Sequence, residues 1–337
     1  MSNPVIVEVT RGGIVESRHT GAYAVVDAKG RVIASAGDID SPVFPRSAVK
    51  AFQCLPMIES GAADDYGFTP EELALACASH NGEPDHVRVA SSMLKKAGIE
   101  ESAYECGVQW PGEKKTLHAM IRAGEEPRDI HNNCSGKHSG MLAQAKKRGA
   151  SLEGYTLVDH PVQRAIAKTI SEICDVDADA LPCGIDGCSV PTWAIPLRNM
   201  ALGFARLVSG EGLSAKRKDA AQRIVEAVRE HPFMVAGTGR FCTKLMQAVP
   251  RAFVKTGAEG VFCGGVPHAG LGIALKCDDG AHRASEALMA ALLASLDVWT
   301  EEERAALSKF AHSELRNWRK IEVGEIHAVA PRKSAEK

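Results

Sequence analysis

The hydrophobic and polar positions change period along the chain. Near the N-terminus, "VIVEVTRGG" and "YAVVDAKGRVIASAG" carry short apolar or alternating runs between glycine turns, which predicts a strand meander with "AKGR" as a tight turn. Beyond Pro45 the spacing turns helical, and "SAVKAFQCLPMIES" predicts a helix beginning after that proline. "TPEELALACASH" opens with Thr69 as N-cap, Pro70 at the first helical position and Glu72 closing a capping box. "PDHVRVASSMLKKAG" ends at Gly98, where a helix commonly stops. Further helical patterns fall near 139–148, 161–174, 197–208 and 213–229. Strand patterns return in "RAFVKTGAEGVFCGGV" and "LGIALKCDDG", followed by the apolar helix "RASEALMAALLASLDVW" and the capped helix "TEEERAALSKF".

The order is strands, many helices, strands, helix. It predicts an α/β protein whose two chain ends meet in one mainly antiparallel sheet, with helices inserted between them and flanking it. No repeat and no linker rich in Gly, Ser or Pro divides it. The simplest reading is one domain over 1–330, with room for a helical subdomain, and a disordered tail at 331–337.

Composition narrows the partners. A chain of 337 residues with 45% apolar and 24% charged positions can bury a substantial core. A formal net charge of −2 gives no reason to expect nucleic acid or an anionic membrane as partner. No apolar run is long enough to span a bilayer. The ten cysteines are scattered, several in apolar runs, and no export signal precedes them, so a reducing cytoplasm is expected.

Candidate chemistry begins at "SPVFPRSAVKAFQ", where Lys50 follows Ser47 by three residues. On a helix that spacing puts an amine beside a hydroxyl. A lysine pressed against an apolar helix loses hydration and its pKa is expected to fall, so that it can take the serine's proton. Ser-x-x-Lys alone arises about once by chance in a chain of this length. Two further motifs add weight: Ser79-His80-Asn81 at a helix end, and Lys255-Thr256-Gly257 on a C-terminal strand. Ser-x-x-Lys, Ser-x-Asn and Lys-Thr-Gly in that order mark the serine β-lactamases and penicillin-binding proteins. Read singly, the last two are a helix stop and a strand–turn signal.

A second cluster lies in "HNNCSGKHSGM" and "LPCGIDGCSVP". Cys134, Lys137 and His138, with Cys183, Asp186 and Cys188, form candidate zinc loops, although their spacing matches no standard zinc finger. Tight turns with buried thiols explain them equally well. A third reading makes Cys134 a nucleophile served by His138 or His131. "VAGTGRFCTKLM" lacks the full phosphate-loop glycine pattern and reads as a turn with a helix cap, leaving Arg240 free to face a pocket.

With their flanks, these segments resemble the Rhizobium etli-type L-asparaginases, the asparaginase II family, over about residues 5–320. The resemblance implies a serine β-lactamase-like fold and hydrolysis of the side-chain amide of L-asparagine by a cytoplasmic homodimer. It implies Ser47 as nucleophile, Lys50 as its base, and Ser79 with Lys255 as a second Ser–Lys pair. It implies Cys134, Lys137 and Cys188 as ligands of zinc near the substrate, with His138 as the more ordinary alternative to a lysine. Arg46, Asn81 and Asp186 become candidates for gripping the substrate. A related serine amidase or glutaminase, and a zinc-dependent amino-acid sensor, share these features.

Overall fold

The computed structural model describes residues 2–329, and the expected tail at 331–337 lies outside them. The chain divides into two compact units. The first comprises the described part of Met1–Ala48, Ile195–Gly212 and Leu245–Lys337, and the second Val49–Ala194 with Leu213–Lys244.

The first unit is built on an eight-stranded sheet. Its strands are β1 (Val5–Arg11), β2 (Ile14–Asp27), β3 (Val32–Ala36), β4 (Phe253–Thr256), β5 (Val261–Val266), β6 (Leu271–Cys277), β7 (His312–Arg316) and β8 (Glu322–Ala328). The order is β7-β8-β1-β2-β6-β5-β4, with β3 on β2, and every pairing is antiparallel. Val7 faces Ala328 and Val25 faces Ile273, so strands from both chain ends share one sheet, as expected. Strands β7 and β8 carry no periodic signal in the sequence. β7 is largely exposed and β8 mostly half-buried, and Ile326 is their one buried apolar side chain among the described residues.

Two helices cover opposite faces of this sheet. A Cβ on Gly265 would meet Val208 of the helix Leu197–Ser209, whereas one on Gly264 would meet Met289 of the helix His282–Ala294. Neighbouring residues on a strand point to opposite sides. Glycine at 272 lets the first helix sit closely on β6, because a Cβ there would lie 1.9 Å from the Ala201 carbonyl oxygen.

The second unit is helical. The helix Lys50–Glu59 is its centre, buried from Lys50 to Ile58. Against it pack the helices Ser135–Lys147, Pro161–Cys174 and Ala215–Glu230. The capping box of Thr69 and Glu72 forms as the sequence predicts, and Gly98 takes the left-handed conformation that ends its helix. The helix Lys114–Ala123 has no counterpart in the sequence reading. A short hairpin, Cys183–Ile185 with Pro191–Trp193, presents the turn that holds Asp186 and Cys188. Among the described residues no helix is long and apolar enough to cross a membrane.

Candidate active site

The sequence "SAVK" does not enter the α-helix directly. Arg46–Val49 form a 3-10 turn, and the α-helix begins at Lys50. Ser47 belongs to the first unit and Lys50 to the second. Arg46 has a φ of 51°, a left-handed conformation that costs a non-glycine residue free energy and is most often kept at functional positions.

Within the first unit, the Lys-Thr-Gly run lies against this turn. A Cβ on Gly257 would stand 2.7 Å from the Pro45 carbonyl oxygen and 3.3 Å from Ala48, so glycine allows the end of β4 to close on the segment that carries Ser47. Lys255 is buried, and its Nζ donates to the Thr256 carbonyl at 2.8 Å.

Within the second unit, Lys50 is 1% exposed. Its Nζ donates to Ser79 Oγ at 2.9 Å, to Cys134 Sγ at 3.0 Å and to the Ala78 carbonyl. The amine nitrogen thus has one hydroxyl, one sulfur and one carbonyl as partners. Ser79 is placed by a hydrogen bond from its own N–H to the Val235 carbonyl. Cys134 is brought up at the N-terminus of the helix Ser135–Lys147, which approaches Leu75 so closely that a Cβ on Gly136 would lie 2.4 Å from the Leu75 carbonyl.

Cys134 and Cys188 meet, and Lys137 Nζ donates to Cys188 Sγ at 3.0 Å. A hydrogen bond from the Cys188 thiol, together with the positive charges of Lys50 and Lys137, holds the Cys134 thiol well below the usual range despite its burial. Cys188 moves the opposite way, because it keeps the proton it shares with Cys134 and is itself buried. Burial disfavours the ammonium of Lys137, but the two sulfurs outweigh it and its pKa rises. The turn Asp186–Ser189 is fixed by the Asp186 N–H on the Val190 carbonyl and by Gly187 N–H on Asp186 Oδ1, with Ser189 at a φ of 73°.

Two sulfurs with an amine beside them are donor types that suit a thiophilic ion such as zinc. No group of three or more His, Cys, Asp and Glu side chains suited to a metal occurs among the described residues, and the nitrogen beside Cys188 is that of Lys137. His138 Nδ1 hydrogen-bonds Tyr155 Oη at 2.6 Å, while its Nε2 is buried without a partner. His131 Nδ1 accepts the Arg128 N–H. Neither ring bonds to Cys134, whose sulfur instead meets Lys50 and Asn133, so the reading of Cys134 as a histidine-served nucleophile is not supported by the geometry.

Asn81, expected as a substrate contact, is hydrogen-bonded on both its amide atoms within the protein. Its Nδ2 donates to Glu83 Oε1 and to the Thr238 carbonyl, both at 3.1 Å, and its Oδ1 accepts from Arg240 Nη1 at 3.1 Å. Glu83 in turn accepts the Thr238 N–H and Oγ1–H at 2.7 and 2.6 Å. The loop 237–240 is therefore clamped onto 79–83. The sequence hinted at this loop through Gly237-x-Gly239, but nothing local links Thr238 to Glu83. His80 is also structural. Its Nδ1 accepts the Gly82 N–H, so its Nε2–H donates to Ser135 Oγ at 3.1 Å, and its ring stacks on His86. Burial drives both histidines toward the neutral form. A surface cleft of about 620 Å3 is lined by Glu83 and Thr238 together with Pro84, Thr116 and Met120.

The profile of the family described as L-asparaginase II matches residues 7–328. No curated protein sequence matches the chain. Among solved structures, a β-lactamase from Mycobacterium bovis aligns with 14% identity over 86% of this chain and 95% of its own, at a TM-score of 0.40. An asparaginase-type amidohydrolase, acting on a small molecule, is what the profile supports. A match running through nearly every described element places this chain in the L-asparaginase II family.

Proposed function

We propose that the protein hydrolyses the side-chain amide of L-asparagine to L-aspartate and ammonia through an acyl-enzyme formed on serine. The observation that carries this reading is the buried Lys50 amine on Ser79 Oγ, in a chain of the L-asparaginase II family. Ser47, three residues before Lys50, is the nucleophile. Its Oγ bonds to the amide carbon while Lys50 takes its proton. Backbone N–H groups of the turn hold the oxyanion. Ser79, hydrogen-bonded to Lys50, passes a proton to the departing nitrogen as the C–N bond breaks, with Lys255 as its proposed Ser–Lys partner. Water then attacks the ester, releasing aspartate and returning the proton to Ser47.

Cys134, Lys137 and Cys188 are the residues that would hold zinc, which supplies a fixed positive charge for a substrate amino or carboxylate group. Arg46 and Asp186 are the further groups proposed to grip the substrate. A cytoplasmic homodimer is the assembly in keeping with this function.

Ammonia release from L-asparagine and L-glutamine by the wild type and by Ser47→Ala tests the reading. The expected result is turnover of asparagine, lost by at least about a thousandfold in the variant. Equal activity in both proteins rejects Ser47 as nucleophile. Turnover confined to glutamine or to a chromogenic cephalosporin makes this a different amidase. Binding of asparagine without ammonia release makes it a sensor.

A further inference from the structure

We propose that Arg240 is the anchor for the substrate's α-carboxylate, and so the residue that restricts this enzyme to free amino-acid amides. The proposal rests on the amidase reading of the same site.

Arg240 is half-buried and directly follows a loop whose conformation is closely specified. Gly237 has a φ of 107° and a ψ of −172°, which essentially only glycine adopts, and Gly239 has a φ of 76°. A Cβ on Gly237 would lie 2.4 Å from Glu83 Oε1 and 2.8 Å from Asn81 Nδ2. The missing side chain is what lets Glu83 and Asn81 reach the loop. Glu83 then takes the Thr238 N–H and hydroxyl, and both Asn81 Nδ2 hydrogens are engaged by Glu83 and the Thr238 carbonyl.

The outcome of this clamp is the guanidinium. Arg240 Nη1 donates to Asn81 Oδ1 at 3.1 Å and more weakly to the Ser79 carbonyl at 3.4 Å. Both acceptors are neutral. The one carboxylate in the clamp, Glu83, has its oxygens engaged by Thr238 and Asn81, and no ion pair to Arg240 forms among the described residues. Its Nε and Nη2 hydrogens meet no protein acceptor there. Nε and Nη2 form the side-on edge of the guanidinium, which matches a carboxylate with two parallel hydrogen bonds.

A half-buried arginine without an anionic partner, held by two neutral oxygens, is a site built for an anion that arrives from outside. Its position is set by the backbone of Ser79, whose hydroxyl is bonded to Lys50. The charge therefore stands one residue from the proton relay. An amino-acid amide carries its reacting amide and its α-carboxylate a few bonds apart, so the two groups suit a proton relay at Ser79 and an arginine held against the same segment 79–83. Asn81 becomes the holder of the anchor rather than a contact of the substrate.

Three proteins decide the matter: the wild type, Arg240→Gln and Arg240→Lys. Each is assayed with L-asparagine and with 3-aminopropanamide, which keeps the amine and the reacting amide but lacks the α-carboxylate. The expected result is a fall of at least tenfold in the ratio of kcat/KM values, asparagine over 3-aminopropanamide, in Arg240→Gln. The loss appears in KM for asparagine, and Arg240→Lys recovers part of it. A merely structural role lowers both substrates together, and an unchanged ratio overturns the proposal. Calorimetric binding of L-aspartate to the same proteins separates this outcome from failure of the asparaginase reading. If the wild type turns over neither amide but binds L-aspartate at least tenfold more tightly than Arg240→Gln, the anchor stands and the assigned reaction does not. Equal binding, or no binding by the wild type, overturns the anchor.

Discussion

The Nζ of Lys50 lies 3.0 Å from the Sγ of Cys134, and the same nitrogen is 2.9 Å from the Oγ of Ser79. One amine therefore joins Ser79, in the proposed Ser–Lys chemistry, to the pair of sulfurs. The two motifs stand 84 residues apart in sequence and read there as separate clusters.

Cys134→Ser is expected to disturb both. Zinc bound to the purified protein, measured by mass spectrometry, falls from about one equivalent to near none, and kcat/KM for asparagine falls roughly 10- to 100-fold, the range seen when a ligand or its support is lost. Cys188→Ser produces the same metal loss. Retention of stoichiometric zinc by either variant rejects the donor set.

Lys50 and Ser79 act as a unit by virtue of their hydrogen bond. Lys50→Met and Ser79→Ala each lower kcat steeply, and the double variant is little worse than the weaker single one. Strictly multiplicative losses would show that the two side chains work independently.

His80 and His86 make stability depend on pH. Both are buried with pKa values depressed below the ordinary histidine value, first by burial and then, for His80, by neighbouring positive charge. The unfolded chain binds protons near pH 6.5 that the folded chain refuses, so this contribution is complete above about pH 6.5 and is lost as pH falls toward the folded values. Each histidine removes up to ~1.4 kcal/mol per pH unit in that window. The thermal midpoint is expected to drop between about pH 7.5 and pH 5.5, and His86→Phe flattens that dependence. A midpoint constant across this range rules the account out.

Gly272→Ala tests the sheet and its covering helix. The added Cβ would stand 1.9 Å from the Ala201 carbonyl oxygen and 2.4 Å from the Ala205 nitrogen, and both are backbone atoms that yield little. Destabilisation of about 1–3 kcal/mol or more is expected in denaturant melts. Gly187→Ala, where a Cβ would meet nothing within 4 Å and the φ is not left-handed, serves as the milder control.

The sequence disclosed most where chemistry and periodicity coincide. Thr69, Pro70 and Glu72 announced their helix start because a capping box is a local device. The alternation in Val5–Arg11 announced a strand because burial there is uneven between the faces, and the apolar half of β2 announced another as a continuous run buried on both faces. Strands β7 and β8 stayed hidden because Ile326 alone is buried in them, which imposes no period of two on "HSELR" or "EVGEIHA". Ser47, Lys50, Ser79 and Lys255 stand out in the sequence as candidates because three motifs occur in a fixed order. Glu83 and Thr238 do not, because the hydrogen bonds that join them span 155 residues; the glycines at 237 and 239 and Arg240 mark only a loop that can face a pocket.

Strand β8, inserted between β7 and β1, has a consequence for how the protein is made. The register that pairs Val7 with Ala328 joins residues more than 300 positions apart along the chain. Until residue 328 has emerged, β1 presents an unpaired edge, the kind of surface that recruits other chains. The stretch from Val49 to Ala194 is complete long before that, so this helical part is free to collapse first while the sheet waits for its final strand. Late closure by such a distant pairing predicts slow maturation and a nascent chain that benefits from a chaperone, even though the finished sheet keeps β1 in its interior.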